Sequence, residues 1–241
     1  MHANSSLLAV IPARGGSKGL PGKNVLSCAG KPLIEWTIDA AKNAASIDDV
    51  LVSTDSPEIA DVARKAGAAV PFLRPSELST DQASLLQVLQ HAWEQRRSKS
   101  GAHYDYIVLL QPTSPLRTAD HIESAIQRYF TERKSKTDTL ASVYEVSTKF
   151  GWLMQDDERS NYVRFCLNVA TQNPQRQRLK NYYLPNGAIF IACGTNIMEG
   201  LYRDNTIPFV MQSNESVDID TADDLYAAEQ LLLNKAGLGK L

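Results

Sequence analysis

The chain is predicted to be an α/β protein with a largely parallel sheet, and three observations carry that prediction. Short, continuously apolar runs at residues 7–11 and 106–110, and the segment DVLVST at 49–54 with its apolar centre, read as strands buried on both faces. Between them lie longer segments whose apolar residues recur at helical spacing, so strand-like and helix-like stretches alternate along the chain. The first run passes directly into a glycine-rich loop, at the carboxyl end of a strand, where such folds place their ligand crevice. With 241 residues the chain suffices for one well-buried domain, and residues 1–241 are read as a single unit.

The elements follow in order. Residues 33–45 carry Leu33, Ile34, Trp36, Ile38, Ala41 and Ala45 behind Pro32, the pattern of an amphipathic helix. Asp55, Ser56 and Pro57 open a helix over 58–66 that Gly67 stops, and 69–73 begins another extended run. A helix is expected over 85–97, with Ser79 or Thr80 available to start it. Residues 118–133 place Ile122, Ala125, Ile126 and Tyr129 on one helical face, and 139–146 returns as a strand. Composition changes over 149–183, where aromatic and basic residues mix with Asn and Gln and long apolar runs are few. Such a stretch suits a surface excursion or a dimerisation arm better than a further strand of the sheet. Residues 186–192 read as a strand entered through a turn, 217–220 as a short strand, and 222–232 as a closing helix.

Composition narrows the function. A formal net charge of -2 provides no electrostatic reason to expect nucleic acid or a membrane as partner. No run approaches the roughly 20 apolar residues that span a bilayer. The start has no basic region ahead of its apolar run, so a secretory signal is not expected. Cys28, Cys166 and Cys193 are odd in number and widely separated, which suits reduced cysteines and a cytoplasmic location. His91, His103 and His121 have no partner at metal-ligand spacing.

The chemistry concentrates in a few clusters. Residues 11–24 read IPARGGSKGLPGKN, with Gly15, Gly16, Gly19 and Gly22 interleaved with Arg14, Lys18 and Lys23. Glycine lets backbone N–H groups converge on an anion, and the three cations suit a polyphosphate; the alternative is a flexible solvated turn. The P-loop pattern fails because Ser17 stands where its first glycine belongs and Asn24 where Ser or Thr belongs. Residues 111–117, QPTSPLR, leave a strand between two prolines that fix the path of the chain. Arg117 in that loop has a structural alternative, pairing with an acidic neighbour. Near the end, strand alternation would send Asp218 and Asp220 to one face, with Val217 and Ile219 on the other. Two carboxylates so close repel unless a cation compensates, and Mg2+ suits oxygen ligands completed by water and phosphate. The competing role for Asp220 is a helix N-cap.

The string at 11–24, QPTSPLR at 111–117 and NGAIFIA at 186–192 resemble signature segments of the CMP-N-acylneuraminate (sialic acid) synthetases, and the likeness runs in one order from Leu7 to about Leu232. The resemblance implies a Rossmann-like nucleotidyltransferase with a mostly parallel sheet and an inserted dimerisation arm at 149–185. It implies a homodimer that joins CTP to a nine-carbon α-keto acid sugar with Mg2+, releasing pyrophosphate. Arg14, Ser17, Lys18 and Lys23 would cradle the triphosphate and Asn24 would orient it, with Lys23, Arg14 and Asp220 as the catalytic set. Arg74 and Ser84 would hold the cytidine or its ribose, and Gln111, Thr113 and Ser114 would border the sugar. Lys149 and Arg176 would take the sugar carboxylate, and Asp218 and Asp220 the metal. Some relatives place an arginine where this chain has Leu184, so legionaminate or another bacterial nonulosonic acid stands beside N-acylneuraminate as substrate. A KDO-activating enzyme is less expected, because that branch typically has a different loop after IPAR. Outside catalysis, the alternative is a sugar-nucleotide-binding module without turnover.

Overall fold

The computed structural model describes residues 5–17, 19–101, 103–156, 162–166 and 181–237. Chain order runs β1 (Leu7–Pro12), the two-residue strands β2 (Ser27–Cys28) and β3 (Lys31–Pro32), α1 (Leu33–Lys42), β4 (Asp49–Ser53) and α2 (Pro57–Lys65). It continues through α3 (Leu85–Ser100), β5 (Tyr106–Leu109), α4 (Ala119–Glu132), β6 (Thr139–Val146), β7 (Met154–Asp156) and β8 (Val163–Phe165). β9 (Tyr182–Cys193), β10 (Thr206–Met211) and α5 (Ala222–Lys235) complete it.

Six strands form the central sheet in the order β10-β6-β9-β5-β1-β4. β1 pairs parallel with β4 and β5, and β10 pairs parallel with β6. β9 alone runs antiparallel, to β5 on one side and β6 on the other. The sheet is therefore mostly parallel, as the apolar runs indicated. Strand alternation sorts β1 into two cores. Leu7, Ala9 and Ile11 face α1, α2 and α4, while Leu8 and Val10 face α3. All five are fully buried, and each large aliphatic side chain removed from water contributes about 1.5–3 kcal/mol. A third cluster joins Leu33 of α1, Leu116, Ile219 and the α5 residues Ala228 and Leu232, docking the last helix beside the first loop.

Several expectations need correction. The run at 69–73 makes only a single bridge, Ala69 to Leu51, because the chain must turn away toward Arg74. α3 starts at Ser84 rather than Ser79 or Thr80; Ser79 is instead engaged by Arg74, whose Nε donates to its Oγ at 3.0 Å. β9 is not entered through a turn at Asn186. It is already paired with β6 from Tyr182, and at residues 186–187 it bulges, with a register shift between Ala141 and Val143 opposite. Residues 217–220 are extended but pair with no strand. The cap of α5 is Thr221, reciprocated by Asp224, so Asp220 is not the N-cap. Among the described residues Arg117 pairs with no acid; its Nη1 donates to the carbonyls of Gln111 at 3.1 Å and Ala188 at 2.9 Å. Burial with no carboxylate beside it pushes that guanidinium down to about 9.

Between β6 and β9 the chain leaves the sheet. A short 3-10 turn, Thr148–Trp152, leads to β7 and β8, which pair antiparallel as a separate two-stranded sheet. Phe150, Trp152, Leu153, Met154, Val163 and Phe165 are all exposed there. Among the described residues of 149–183, the part up to Phe165 stays off the main sheet as expected, whereas Tyr182 and Tyr183 already belong to β9 and pair with β6. No helix among the described residues is long and apolar enough to cross a membrane.

At the start of α4, His121 completes a capping box. Its backbone N–H donates to Thr118 Oγ1 at 3.3 Å, and its Nδ1 accepts from the Thr118 backbone N–H at 3.2 Å. Its Nε2 lies 3.3 Å from Glu215 Oε2, and Glu215 also pairs with Lys235 at 3.0 Å. Burial pulls the imidazole below its ordinary value, against the opposing pull of Glu215. Protonating Nδ1 would set a donor against the Thr118 N–H. Because the folded value lies below 6.5, this contribution is present above pH 6.5 and is lost as pH falls through the folded value. Chemical denaturation of His121→Gln, which keeps an acceptor at this position, should lack that acid-side loss and stay within about 1 kcal/mol of wild type at pH 8.

Candidate active site

The carboxyl ends of β1, β4 and β5 open onto a cleft of about 490 Å³. The loop after β1 forms one wall, residues 74–88 another, and the segment after β5 together with Asp220 closes the third side. Gly19 lets the first loop reach the far wall, since a Cβ there would stand 2.5 Å from the Asp220 carbonyl oxygen. Lys23 fastens the same junction. It begins the 3-10 turn Lys23–Val25, and its Nζ donates to the Ile219 carbonyl at 2.8 Å and to Asp220 Oδ1 at 3.0 Å. The lysine side chain is 16% exposed and the Asp220 side chain 75%, so the ammonium is held from within while the carboxylate opens to the cleft.

Asn24 is buried, and its Nδ2 donates to the Arg14 carbonyl at 3.1 Å, which fixes the loop beneath Arg14. The Arg14 guanidinium crosses the cleft to Asp81 at 2.7 Å. Arg74 is almost wholly buried. It donates to Ser53 O at 3.3 Å and lies 3.8 Å from Asp55 Oδ1, tying the end of β4 to the turn Ser76–Leu78. Burial lowers its guanidinium below the ordinary arginine value, Arg14 adds to that, and Asp55 opposes it.

Ile219 is fully buried, and its backbone N–H donates to the Thr113 carbonyl at 3.0 Å. That anchor fixes the aspartates on either side. Neighbouring groups desolvate the Asp218 carboxyl and raise it above the ordinary aspartate value; Thr113 opposes this and the charge of Asp220 adds to it. Two acidic groups one residue apart, one of them penalised for its charge, make a site that a hard cation would relieve. No cluster of three or more metal-ligating side chains occurs among the described residues. Asp220 lines the cleft and Asp218 does not; Mg2+ commonly takes one or two carboxylates and completes its shell with water and phosphate oxygens.

The cleft collects Arg14, Ser17, Lys23, Asn24, Arg74, Gln111, Thr113 and Asp220. Ser114 lies beneath it, fully buried, its Oγ donating to the Asn186 carbonyl at 3.4 Å. Ser84 is exposed at the head of α3 and is not among the lining residues, although Ala83 and Leu85 are. Lys149 is exposed on the excursion and borders a separate hollow with Phe150 and Trp152. Lys18 and Arg176 lie outside the described residues. Asp81 and Asn186 escaped the sequence reading, because their partners are 67 and 44 residues away, as the numbering of the Arg14–Asp81 and Ser142–Asn186 pairs shows. Tyr202 escaped it too; it packs against Phe190, and burial raises its hydroxyl above the ordinary tyrosine value, with the nearby Asp218 charge adding to this.

Comparison with known proteins places these features in a family. Residues 8–151 match the cytidylyltransferase family. The CMP-N,N'-diacetyllegionaminic acid synthase of Legionella pneumophila is 38% identical, covering 96% of this chain and 99% of that protein. The pseudaminic acid cytidylyltransferase of Campylobacter jejuni is 33% identical, covering 93% and 95%. The N-acylneuraminate cytidylyltransferase of Escherichia coli is 34% identical over 93% of this chain, which spans 51% of that longer protein. A solved CMP:2-keto-3-deoxy-manno-octonic acid synthetase, complexed with CTP, shares the fold at a TM-score of 0.71 and 19% identity, covering 96% of this chain and all of the other. With its glycine-rich loop, its mostly parallel sheet and a match that spans more than half its length, the chain belongs to the cytidylyltransferase family.

Proposed function

We propose that this protein transfers CMP from CTP to a nonulosonic acid and releases pyrophosphate. The observation that carries the reading is the convergence of Arg14, Lys23, Gln111 and Asp220, from three separate stretches of chain, on one cleft at the carboxyl ends of the strands. The relatives named for legionaminic, pseudaminic and N-acylneuraminic acids support the substrate class. Within that class N-acylneuraminate, diacetyllegionaminate and pseudaminate are the candidates. The relative at 38% identity favours diacetyllegionaminate.

In this reading the sugar's anomeric hydroxyl attacks the α-phosphorus in line, forming the new P–O bond as the bond to the β-phosphate breaks. Arg14 and Lys23 meet the triphosphate, and Asn24 holds the loop that presents them. Lys23 turns from Asp220 toward phosphate, which needs only rotation of its flexible stem. Arg74, with its guanidinium already engaged, shapes the nucleoside wall more than it supplies charge. Asp218 and Asp220 would hold Mg2+, which supplies charge neutralisation on the phosphates when bound. Of the expected arm at 149–185, residues 182–185 belong to β9 of the central sheet; the exposed aromatic residues Phe150, Trp152 and Phe165 support a dimerisation arm ahead of them. Lys149, exposed on the excursion and outside the cleft of its own chain, and Arg176 are assigned to the sugar carboxylate, which in a dimer could lie in a second subunit's site. The three free cysteines suit a cytoplasmic enzyme.

Pyrophosphate release with CTP and Mg2+ should appear with one of N-acetylneuraminate, diacetyllegionaminate or pseudaminate and not with KDO. Lys23→Ala should lower that turnover about a hundredfold or more with the fold intact by circular dichroism. Silence with every nonulosonic acid would sink the reading. Asp220→Asn should move the Mg2+ titration of activity to higher concentration, and an unchanged titration would remove Asp220 from the metal site. Light scattering at assay concentration should give a dimer; a fully active monomer would reject the shared arm.

A further inference from the structure

Beneath the cleft lies a buried polar cluster that contributes no atom to the cleft wall. Asn186, 3% exposed, sits in the β9 bulge. A side-chain amide offers two donors and two acceptor positions, and here all four are taken by the protein. Oδ1 accepts from Ser142 Oγ at 2.5 Å and from the Ala188 backbone N–H at 3.2 Å. Nδ2 donates to Ser216 Oγ at 2.9 Å and to Met211 Sδ at 3.4 Å. Asn186 thus has nothing left for a substrate. What it does is pin the bulge to β6, to the end of β10 and to the turn before Ser216.

The next residue shows what the pinning achieves. Gly187 has φ +70°, and a Cβ placed on it would lie 2.7 Å from Gln111 Oε1 and 3.2 Å from Gln111 Cδ. The Gln111 side-chain amide therefore rests on the bare backbone of Gly187. Its main chain is held separately, since the Gln111 carbonyl accepts from Arg117 Nη1 at 3.1 Å and Thr37 Oγ1 at 3.4 Å. With backbone and one face of the side chain fixed, the direction of the Gln111 amide into the cleft is set by the height of the bulge.

We propose that Asn186 and Gly187 are positioning residues that set the Gln111 amide for the acceptor sugar, acting through Gln111 and touching no substrate. The proposal rests on the cytidylyltransferase reading above for the identity of the acceptor. It also makes a geometric claim that stands apart from catalysis: any side chain at 187 must displace the Gln111 amide.

Two measurements test it. In Gly187→Ala the Gln111 side-chain amide resonances, assigned by comparison with Gln111→Ala in 15N-labelled protein, should shift. With the active nonulosonic acid, the same variant should raise the sugar KM about tenfold, with the CTP KM within about twofold of wild type. In a Gln111→Ala background, where the clashing amide is gone, adding Gly187→Ala should change the sugar KM by less than about twofold. Asn186→Ala should give the same pattern if it folds, and Gly187→Ala keeps the test available if it does not. Unmoved Gln111 resonances, equal rises in both KM values, or full additivity with Gln111→Ala would each overturn the proposal. If the resonances move but wild-type protein turns over no nonulosonic acid, the positioning stands and the assigned reaction fails.

Discussion

Lys23 ties the first loop to the stretch that leads into α5. Lys23 bonds to residues 196 and 197 positions away, and Gly19 lets the backbone of its loop come against Asp220 at the same place. Closing so long a loop is entropically costly, and a partly exposed ion pair cannot repay it alone. The repayment comes from apolar packing next door, where Ile219, Leu33, Leu116 and Leu232 are buried together. Ile219 acts as the fixed point: buried, hydrogen-bonded to Thr113, and flanked by two aspartates whose positions follow from its own. Remove that anchoring and the cations of the first loop would face open water with no third wall.

The arginines show how one residue type is used in unlike ways according to burial. Arg14 stands half-exposed across the cleft, with a carboxylate that a phosphate can replace. Arg74 spends its donors on a carbonyl and a hydroxyl inside the wall. Arg117 is buried among carbonyls and holds the Gln111 loop against β9. The charge that remains available to a ligand is thus concentrated in the glycine-rich loop, where backbone N–H groups can add to it.

Local signals in the sequence were enough for most elements. Apolar runs located β1, β4 and β5, and Pro, Gly and Thr boundaries located α2 and α4 to within a residue or two and the start of α5, which runs three residues past its expected end. Signals failed where tertiary demands overrode local ones. Ser79 looked like a helix start but is drawn to Arg74, and Asn186-Gly187 looked like a turn but is a bulge inside a long antiparallel strand. The cleft itself was readable as a set of clusters, because each carries its polar residues within a few positions. What holds those clusters together was not, since the Arg14–Asp81 and Asn186–Ser142 contacts pair residues that no local pattern relates.

The excursion between β6 and β9 departs and returns at one spot, for Val146 is paired directly with Tyr182. Whatever length of chain hangs between those two residues, the sheet on either side registers the same way. Lengthening it raises the closure cost only with the logarithm of its length, about 0.6 kcal/mol per doubling. The fold therefore separates two kinds of change. The half built on β1, β4 and β5 is locked into the core and tolerates little drift, whereas the excursion between Val146 and Tyr182 can be rewritten without disturbing a strand of the central sheet. A fold made this way can vary its excursion while keeping its cleft.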